Sequence, residues 1–547
     1  MKKIIFLFIF LLSFSKDIFS QYVYEKLFPS VNNSSYEYFP TGNIEADDSS
    51  NYSYGRWNNS NYSEFGLFLA KMNELGDTIW TRKYNGSQGG NDFSLIKNED
   101  SSYTAFNTTA GNFNQCDNVD FFLMKLQPNG DTVWTKHYGT CNSDYLHQVV
   151  KGPNDGYYVY GTETYLQFPY LGAFLLRLNN NGDTIWTRFI RVGEPANIPM
   201  MQNHQENYSC APSPDGGVII TGYNYQSQTD TSSISYIIKL DSTGTIQWKK
   251  QITNLRRNQV QHIVATLDGY ILDGFCGLGS MIVKIDLNGN LLWVKIYLAN
   301  NLLINGTKIL SDGTLAIIGE EYAGGYYYSG PVRIYLFKSA LFKTSSTGDL
   351  QWAKSYRLGI HSWPYSFSIA KDKGYLMTTK VDFNDTTFQN YEGILMKVDS
   401  LGNGCTDSTI NINVTDITSQ VVLLDTLNPF VSSYPVTIGH TPFTYGSGIQ
   451  YSTLCSGNVG VEEINRDETE VALFPNPATN EIMLTTNHPI KTIRIYDVLG
   501  EEVLKLVRIA NSQKAIDIST WNAGVYFVEV ETEKGIVRKK VIKSTMY

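Results

Sequence analysis

The sequence predicts an all-β protein: a seven-bladed β-propeller followed by a short β-rich spacer and a small C-terminal β-sandwich. Three observations lead to this prediction. A glycine-turn-tryptophan phrase recurs along most of the chain, tyrosine is abundant with 37 copies in 547 residues, and the composition changes after residue 470. Aromatic residues favour strands, and self-similarity at a period of roughly fifty residues is typical of propeller repeats.

The repeat is clearest at "GDTIWT", which begins at Gly76. Six further glycines open related phrases: Gly130, Gly182, Gly244, Gly289, Gly348 and Gly402. A tryptophan follows four residues after the glycine in the first six copies, at Trp80, Trp134, Trp186, Trp248, Trp293 and Trp352. Each copy also holds a second turn, often Asp-Gly, and an apolar run with a late basic residue such as "FLAKM". The pattern predicts four antiparallel strands per copy, with the tryptophan filling the space between neighbouring blades.

The seventh copy lacks its tryptophan strand, because "NGCTDS" follows Gly402. Near the N-terminus, Tyr24, Lys26 and Phe28 have the spacing of the tryptophan, basic residue and aromatic residue in the other copies. We therefore expect the N-terminal strand to complete the seventh blade, so that the propeller covers residues 21–403. Closure of the ring by the two chain ends would remove exposed sheet edges.

The first twenty residues predict a secretory signal peptide. "MKK" is a positive start and residues 4–12 form an apolar run that is too short to span a bilayer. No later run of about 18 apolar residues occurs, so no transmembrane segment is expected. The net charge of −9, without a basic cluster, argues against a nucleic-acid partner.

The six cysteines suggest disulfides in an exported chain. Cys116 and Cys141 flank one repeat motif, and Cys405 and Cys455 bracket the region after the last repeat, so these two pairs are the candidates. Cys210 with Cys276 would be the remainder, and the sequence leaves the connectivity open.

The sequence contains none of the following motifs of catalytic or metal sites. The histidines lack paired metal-ligand spacing, and there is no Cys-x-x-Cys, no Gly-x-Ser-x-Gly and no phosphate loop. Turn formation explains the carboxylates at the Asp-Gly turns, Asp155, Asp215, Asp268 and Asp312. The sequence therefore predicts no catalytic residue and no metal site.

Phrases such as "KLDSTGTIQW" and "KIDLNGNLLW" resemble the tryptophan-docking repeats of pyrroloquinoline-quinone dehydrogenases and of related outer-membrane assembly propellers. The resemblance implies a propeller. Quinoproteins of that family stack the cofactor on a pair of adjacent cysteines, and this sequence has no Cys-Cys pair. No cofactor is therefore expected.

The loops between strands combine aromatic rings with Asn, Ser and Gln, which suits sugar rings or peptide segments. The candidate ligand-binding residues are Trp57, Tyr223, Tyr225, Tyr326, Tyr327, Tyr328 and Trp363. The alternative is that these loops form an ordinary polar surface without a ligand-binding role.

After a β-prone spacer and acidic linker over residues 404–470, residues 471–547 show short alternating strands separated by turns, which predicts a small β-sandwich. Its phrases resemble the type A C-terminal sorting domain of type IX secretion system substrates. The matching residues are Phe474, Pro475, Asn476, Pro477, Tyr496, Asp497, Gly500, Gly524, Tyr526, Gly535, Lys539, Lys540 and Lys543. The resemblance implies passage through the periplasm, export across the outer membrane by the type IX machinery, and a protein that is secreted or held at the cell surface.

These observations predict a secreted or surface propeller that binds a glycan or protein ligand rather than an enzyme. The alternative is a secreted hydrolase for polysaccharide or peptide, with its active site on the loop face. A hydrolase needs converging acid/base groups, and the carboxylates that the sequence offers, such as Glu320, Glu321, Asp382 and Asp385, are dispersed. Propeller sites are assembled from different blades, so spacing alone leaves both hypotheses open.

Overall fold

The computed structural model describes residues 21–28, 36–46, 48, 50–59, 65–85, 88–89, 94–111, 118–140, 143–164, 171–192, 209–225, 233–329, 332–383, 391–425, 430–432, 437–439, 445–446, 452–459, 471–497, 502–507, 509, 511–532 and 535–544. The chain divides into two compact units, Met1–Val459 and Gly460–Tyr547. Apart from two 3-10 turns, Pro153–Asp155 and Thr418–Gln420, the regular structure of the described residues is β-strand. The all-β class is thus confirmed.

The described residues of the first unit form seven antiparallel sheets, numbered here in chain order. The chain opens with β1 (Gln21–Leu27). Sheet 1 takes β2 (Tyr36–Glu45), β3 (Asn51–Asn59), β4 (Phe65–Met72) and β5 (Thr78–Asn85). Sheet 2 takes β6 (Gln88–Gly89), β7 (Ser94–Lys97), β8 (Tyr103–Gly111), β9 (Asn118–Leu126) and β10 (Thr132–Gly139). Sheet 3 takes β11 (Ser143–Lys151), β12 (Tyr157–Thr164), β13 (Leu171–Leu178) and β14 (Thr184–Arg191).

The later repeats follow the same plan. Sheet 4 takes β15 (Ser209–Pro212), β16 (Val218–Tyr225), β17 (Ser233–Leu240) and β18 (Ile246–Thr253). Sheet 5 takes β19 (Gln259–Thr266), β20 (Gly269–Cys276), β21 (Gly279–Asp286) and β22 (Leu291–Leu298). Sheet 6 takes β23 (Leu303–Ile309), β24 (Leu315–Ser329), β25 (Val332–Thr344) and β26 (Leu350–Tyr356). Sheet 7 takes β27 (His361–Ile369), β28 (Tyr375–Asp382), β29 (Tyr391–Val398) and the N-terminal strand β1.

The pairing of β1 with β29 follows the sequence prediction in detail. Tyr24 lies opposite Lys397 and Lys26 opposite Leu395, just as Trp134 lies opposite Lys125 in sheet 2. The N-terminal strand therefore occupies in sheet 7 the position that a tryptophan strand holds in the other sheets.

The segment predicted as a spacer adds one edge strand to each of the seven sheets of the first unit. Its strands are β30 (Asp407–Thr409) on sheet 6, β31 (Asn413–Asp416) on sheet 5, β32 (Val422–Leu424) on sheet 4, β33 (Phe430–Ser432) on sheet 3, β34 (Thr437–Gly439) on sheet 2, β35 (Tyr445–Gly446) on sheet 1 and β36 (Ser452–Val459) on sheet 7. We call residues 404–459 the strap. It visits the sheets in the reverse of chain order.

Hydrophobic clusters join each sheet to its neighbours in sequence order. Tyr103 of sheet 2 packs with Tyr52 of sheet 1, and similar clusters join sheets 2 and 3, 3 and 4, 4 and 5, 5 and 6, and 6 and 7. A further cluster joins Tyr24 and Phe28 of sheet 7 to Phe68 of sheet 1. Every sheet of the first unit thus shares buried apolar surface with two others.

The turn glycines and the tryptophans also make contacts between neighbouring sheets. Gly130 has a φ of 85°, a left-handed conformation that glycine adopts without the usual steric cost. A Cβ added there would lie 3.0 Å from the Trp80 ring, so the tryptophan of one sheet covers the turn of the next. In the gap between sheets 7 and 1, Tyr24 lies against Gly76 in the same way, 2.7 Å from where a Cβ would be.

The structure agrees with the predicted disulfide pairing only in part. Cys405 and Cys455 form a disulfide. Cys210 and Cys276 are buried and free, and they lie in different clusters, so the pairing expected as the remainder is wrong. Cys116 and Cys141 lie outside the described residues.

The C-terminal unit has two sheets around one hydrophobic cluster. One sheet contains β37 (Val471–Phe474), β38 (Glu481–Thr486) and β41 (Gln513–Asp517); the other contains β39 (Ile490–Tyr496), β40 (Glu502–Val507), β42 (Gly524–Thr532) and β43 (Gly535–Lys543). Ile482 of the first sheet and Ile493 and Val528 of the second are fully buried in the shared core. Among the described residues, no helix has the length and apolar character needed to cross a membrane.

Candidate functional site

The seven sheets of the first unit have two different ends. The turn end carries the hairpins between first and second strands and between third and fourth strands. The loop end carries the connections between second and third strands.

At the turn end, ion pairs hold each hairpin to its own sheet. The late basic residue of the third strand reaches the aspartate of the preceding turn, as in Lys71 with Asp48 at 2.7 Å and Lys239 with Asp215 at 2.8 Å. Hydrogen bonds from Lys71 and Ser50 lower the pKa of Asp48 to about 2. Asp155, Asp268 and Asp312 also contact a lysine of their own sheets. These contacts support a structural role for the turn carboxylates.

The loop end of sheet 6 carries an extended aromatic hairpin. β24 and β25 have 15 and 13 residues, whereas β20 and β21 of sheet 5 have 8 each. On this extension Tyr326 contacts Tyr335 with ring centroids 6.3 Å apart, and Tyr335 contacts Tyr322 at 5.8 Å. Tyr322 in turn contacts Phe337 at 6.0 Å. Tyr326 and Tyr335 are about half exposed, at 48% and 47%.

The row of rings continues onto sheet 7. Phe337 lies 5.5 Å from the imidazole of His361, which stacks on Trp363 at 3.5 Å with an interplanar angle of 22°. Burial, and secondarily the charge of Lys380, lower the pKa of His361 to about 4. The imidazole is therefore neutral at pH 7, and it lies buried between Phe337 and the indole of Trp363.

Two cationic side chains connect this row of rings to sheet 1. The ammonium of Lys380 lies 5.8 Å from the Trp363 ring and 6.0 Å from the Phe39 ring. The guanidinium of Arg56 lies 5.0 Å from the same Phe39. Such contacts are attractive because the ring face is electron-rich. We call the continuous set the aromatic arc: Tyr326, Tyr335, Tyr322, Phe337, His361, Trp363, Lys380, Phe39 and Arg56.

The seven residues predicted to bind ligand divide into three groups. Tyr326 and Trp363 belong to the aromatic arc. Trp57 and Tyr223 are only 2% and 5% exposed, which corrects their placement on an open loop face: Trp57 packs beside Tyr24 and Phe68 between sheets 7 and 1. Tyr225, Tyr327 and Tyr328 lie in β16 and β24, but their side chains lie outside what the structure describes.

A carboxyl group lies beside the arc in sheet 6. β23 bulges between Ile304 and Gly306, and the extra residue, Asn305, donates from its amide nitrogen to Glu320 Oε1 at 2.7 Å. Bulges commonly re-aim a side chain in this way. Burial raises the pKa of Glu320 to about 7, and the bond from Asn305 opposes that shift. Glu320 and Tyr322 are two residues apart on β24, so they share one face of the strand.

Sequence reasoning missed most of the arc, and the reasons differ. Phe337 lies three residues before the apolar run "ALFKT" of its repeat and outside the loop phrases, and Phe39 and Lys380 belong to the first and last repeats. One signal could have revealed the bulge: a glycine ends the second-strand phrase "LAIIG". A Cβ at that residue, Gly319, would lie 2.3 Å from the carbonyl oxygen of Leu303.

In the C-terminal unit, the Pro-Asn-Pro turn holds the last strand. The Asn476 amide donates to the Lys540 carbonyl at 2.9 Å, and its carbonyl accepts from the Ile542 N–H at 2.9 Å. The Lys543 ammonium contacts the Thr479 carbonyl. The first and last segments of the unit are thereby joined.

The other predicted sorting residues are distributed over the same unit. Phe474 is 51% exposed at the end of β37, and Tyr526 is buried with its hydroxyl donating to the Asn522 carbonyl at 2.8 Å. Tyr496 ends β39, Asp497 follows it, Gly524 opens β42 and Gly535 opens β43, in which Lys539 and Lys540 are exposed. Pro475 and Pro477 flank Asn476, and Gly500 lies outside the described residues.

Comparison with known proteins identifies this unit. Residues 472–544 match the family described as "Secretion system C-terminal sorting domain". The match confirms the predicted type IX sorting tail, which implies export to the cell surface or the medium. No curated protein matches the chain.

Several solved structures show a distant likeness. A hypothetical protein from Leishmania major is 12% identical, with 48% of this chain and 88% of that chain covered and a TM-score of 0.24. An exo-β-1,3-galactanase from Phanerochaete chrysosporium is 9% identical, with 72% and 99% covered and a TM-score of 0.27. The extracellular domain of a putative one-component system from B. thetaiotaomicron is 9% identical, with 93% and 92% covered and a TM-score of 0.17. At these TM-scores the matches do not indicate a fold family or a function for this chain.

Proposed function

We propose that this chain is an exported β-propeller that binds a glycan at the aromatic arc. Export rests on the sorting-domain match over residues 472–544. Binding rests on one observation above the others: ring and cation contacts run without interruption across sheets 6, 7 and 1.

Two features support a closed seven-bladed ring. The first strands of consecutive sheets contact one another in the order β2, β7, β11, β15, β19, β23 and β27, and β27 contacts β2 again. The hydrophobic clusters follow the same cyclic order, ending with the one that joins sheet 7 to sheet 1. In such a ring the seven sheets are the blades and their first strands line the axis.

The chemistry of the arc favours a sugar ligand. Flat, partly exposed aromatic faces such as Tyr326 and Tyr335 stack on the C–H faces of sugar rings, while the neighbouring Tyr hydroxyls and Asn305 amide supply polar partners. A protein ligand would need a larger apolar core at the interface, and the arc includes the charged side chains of Lys380 and Arg56.

Binding is tested by a glycan and peptide array probed with the full-length secreted chain, followed by titration of any hit. Replacing Trp363 or Tyr335 by alanine should each cost about 1 kcal/mol of binding free energy. The matched control is Tyr145→Ala, because Tyr145 is 45% exposed on sheet 3, outside the arc. A peptide hit in place of a glycan, or equal losses in control and arc variants, would overturn the proposal.

Export is tested by deleting residues 538–547. The deletion removes most of β43 and both groups that Asn476 holds, so the protein should accumulate in the periplasm. Deleting only residues 545–547, which lie beyond the family match, should leave export unchanged. Normal surface delivery of the longer deletion would contradict the role of this unit.

A hydrolase is the second candidate, because Glu320 is a partly buried carboxyl group with a pKa raised to about 7, as a general acid requires. Hydrolysis also needs a base or nucleophile on the other side of the scissile bond. Incubating the full-length chain with an array hit and analysing the products decides between the two. Turnover that Glu320→Gln abolishes would establish the hydrolase, and intact ligand would favour binding alone.

A further inference from the structure

The strap makes more than backbone contacts with the sheets that it crosses. Ile410 and Ile412 are buried in the cluster between sheets 5 and 6, and Ile417 and Val421 in the cluster between sheets 4 and 5. The strap therefore contributes side chains to the interfaces between these sheets and also pairs with the edge strand of each sheet.

Polar contacts fix the strap at defined places. Lys354 of sheet 6 pairs with strap residue Asp407 at 2.7 Å, and Lys250 of sheet 4 pairs with Asp425 at 2.8 Å. In sheets 2, 5 and 7 the equivalent lysine pairs with an aspartate in the turn of the next sheet, as in Lys136 with Asp183 at 2.7 Å. The strap thus supplies carboxylates where the repeat has none.

The two ends of the strap meet on the same strand. β36 pairs with β1, where Glu25 lies opposite Cys455. The Thr406 hydroxyl, next to Cys405, donates to Glu25 Oε1 at 2.9 Å. The Cys405–Cys455 disulfide then joins the ends covalently, across a sequence separation of 50 residues.

We infer that the strap is a covalent belt that encircles the propeller and isolates it from the sorting tail. The inference rests on the ring arrangement proposed above. The chain leaves β36 at Val459, four residues after Cys455, and continues to the C-terminal unit. Because Cys455 is bonded to Cys405, fraying or pulling that starts from the tail can release only the residues after the disulfide.

The belt has a consequence for the chain after export. Removal of the sorting unit would leave a free end at the edge of sheet 7, where a terminal strand normally frays. The disulfide stops that fraying before it reaches β35 and the strap strands beyond it. Sheet edges would otherwise become open to pairing with other chains.

The test is limited proteolysis of the full-length chain, oxidised or reduced and alkylated under native conditions, with fragments identified by mass spectrometry. In the oxidised protein, digestion from the C-terminal side should stop near Val459. After reduction it should continue into the strap, with loss of residues 430–459, while the strands β2 to β29 stay uncut. The Cys405→Ser/Cys455→Ser variant should behave like the reduced protein and be insensitive to reductant.

The outcomes separate the belt from the ring. An identical boundary near Val459 in both redox states would overturn the belt and leave the ring intact. Cleavage within the strands β2 to β29 in both states would overturn the ring arrangement, and the belt with it. Because native protein is reduced after folding, the result does not depend on whether the serine variant folds.

Discussion

The turn end and the loop end of the same seven sheets differ in how regular they are. At the turn end the sheets repeat one solution: a left-handed glycine, a side chain of the preceding sheet packed on it, and a lysine-aspartate pair. The packed side chain is an aromatic ring in six sheets and Arg188 at Gly244 of sheet 4. Tyr24 and Lys26 of sheet 7 take the places of the tryptophan and the basic residue. At the loop end the sheets differ, and the aromatic arc occupies only sheets 6, 7 and 1. The repeated residues therefore serve packing between sheets, whereas the candidate site lies where the sheets depart from the repeat.

The strongest way to break the comparison is to remove the strand that completes the turn-end pattern. Deleting residues 21–28 while keeping residues 1–20 removes Tyr24 and Phe28, both fully buried, and exposes the edges of β29 and β36. The loss should be comparable to the whole stability of a domain, about 5–15 kcal/mol. Urea unfolding followed by fluorescence should lose its cooperative transition, and a transition like that of the intact chain would refute closure by β1.

A single turn glycine should have a smaller effect that is still large. At Gly130→Ala the φ of 85° is unfavourable for alanine and the new Cβ meets the Trp80 ring. We expect a loss of about 1–3 kcal/mol in the free energy of unfolding. Gly524→Ala is the control, because nothing lies within 4 Å of a Cβ there; equal losses in the two variants would argue against the packing role.

The regularity of the turn end explains how much could be predicted. The glycine and tryptophan spacing located the strands of all seven repeats, and the Tyr24, Lys26 and Phe28 spacing indicated the partner of β29. The sorting unit was identifiable because Asn476 and its neighbours form a local, contiguous pattern.

The loop end resisted prediction because its site depends on which sheets are neighbours. Phe39 and Lys380 meet only because sheet 7 lies beside sheet 1. Trp57 was placed on a loop, but β3 runs to Asn59 and strand alternation turns its indole into the interface. The strap strands, some only two or three residues long, are too short to show a period-2 pattern.

The loop end should also differ in its response to pH. Burial raises the pKa of Glu320 from 4.5 to about 7, so the folded state binds a proton that the unfolded state releases. Its contribution to stability is present below about pH 4.5 and is lost as the pH rises to about 7. The difference in free energy of unfolding between Glu320→Gln and the parent should therefore depend on pH. We expect it to favour the variant by about 1–3 kcal/mol more at pH 8 than at pH 4.5.

The measurement is urea unfolding of both chains at several pH values. Glu74→Gln is the control, because that carboxyl group lies on an exposed turn. A pH-independent difference between Glu320→Gln and the parent would contradict the burial of this carboxyl group.

The smallest expected effect is on the stability of an arc variant. Tyr335 is 47% exposed, so Tyr335→Ala should change the free energy of unfolding by less than about 1 kcal/mol. Thermal unfolding of the unliganded protein checks this, and a larger loss would assign the ring to the core rather than to a binding surface.

One paired measurement tests the central claim, that packing lies at the turn end and binding at the loop end. Trp352 and Trp363 are both half-buried, in sheets 6 and 7, and each is replaced by alanine. Stability by urea unfolding and affinity for the array ligand, measured well below the melting temperature, are compared for both variants. We predict that Trp352→Ala loses about 2–4 kcal/mol of stability with affinity unchanged, and that Trp363→Ala loses affinity about fivefold with little change in stability. Parallel losses of stability and affinity in both variants would contradict the account.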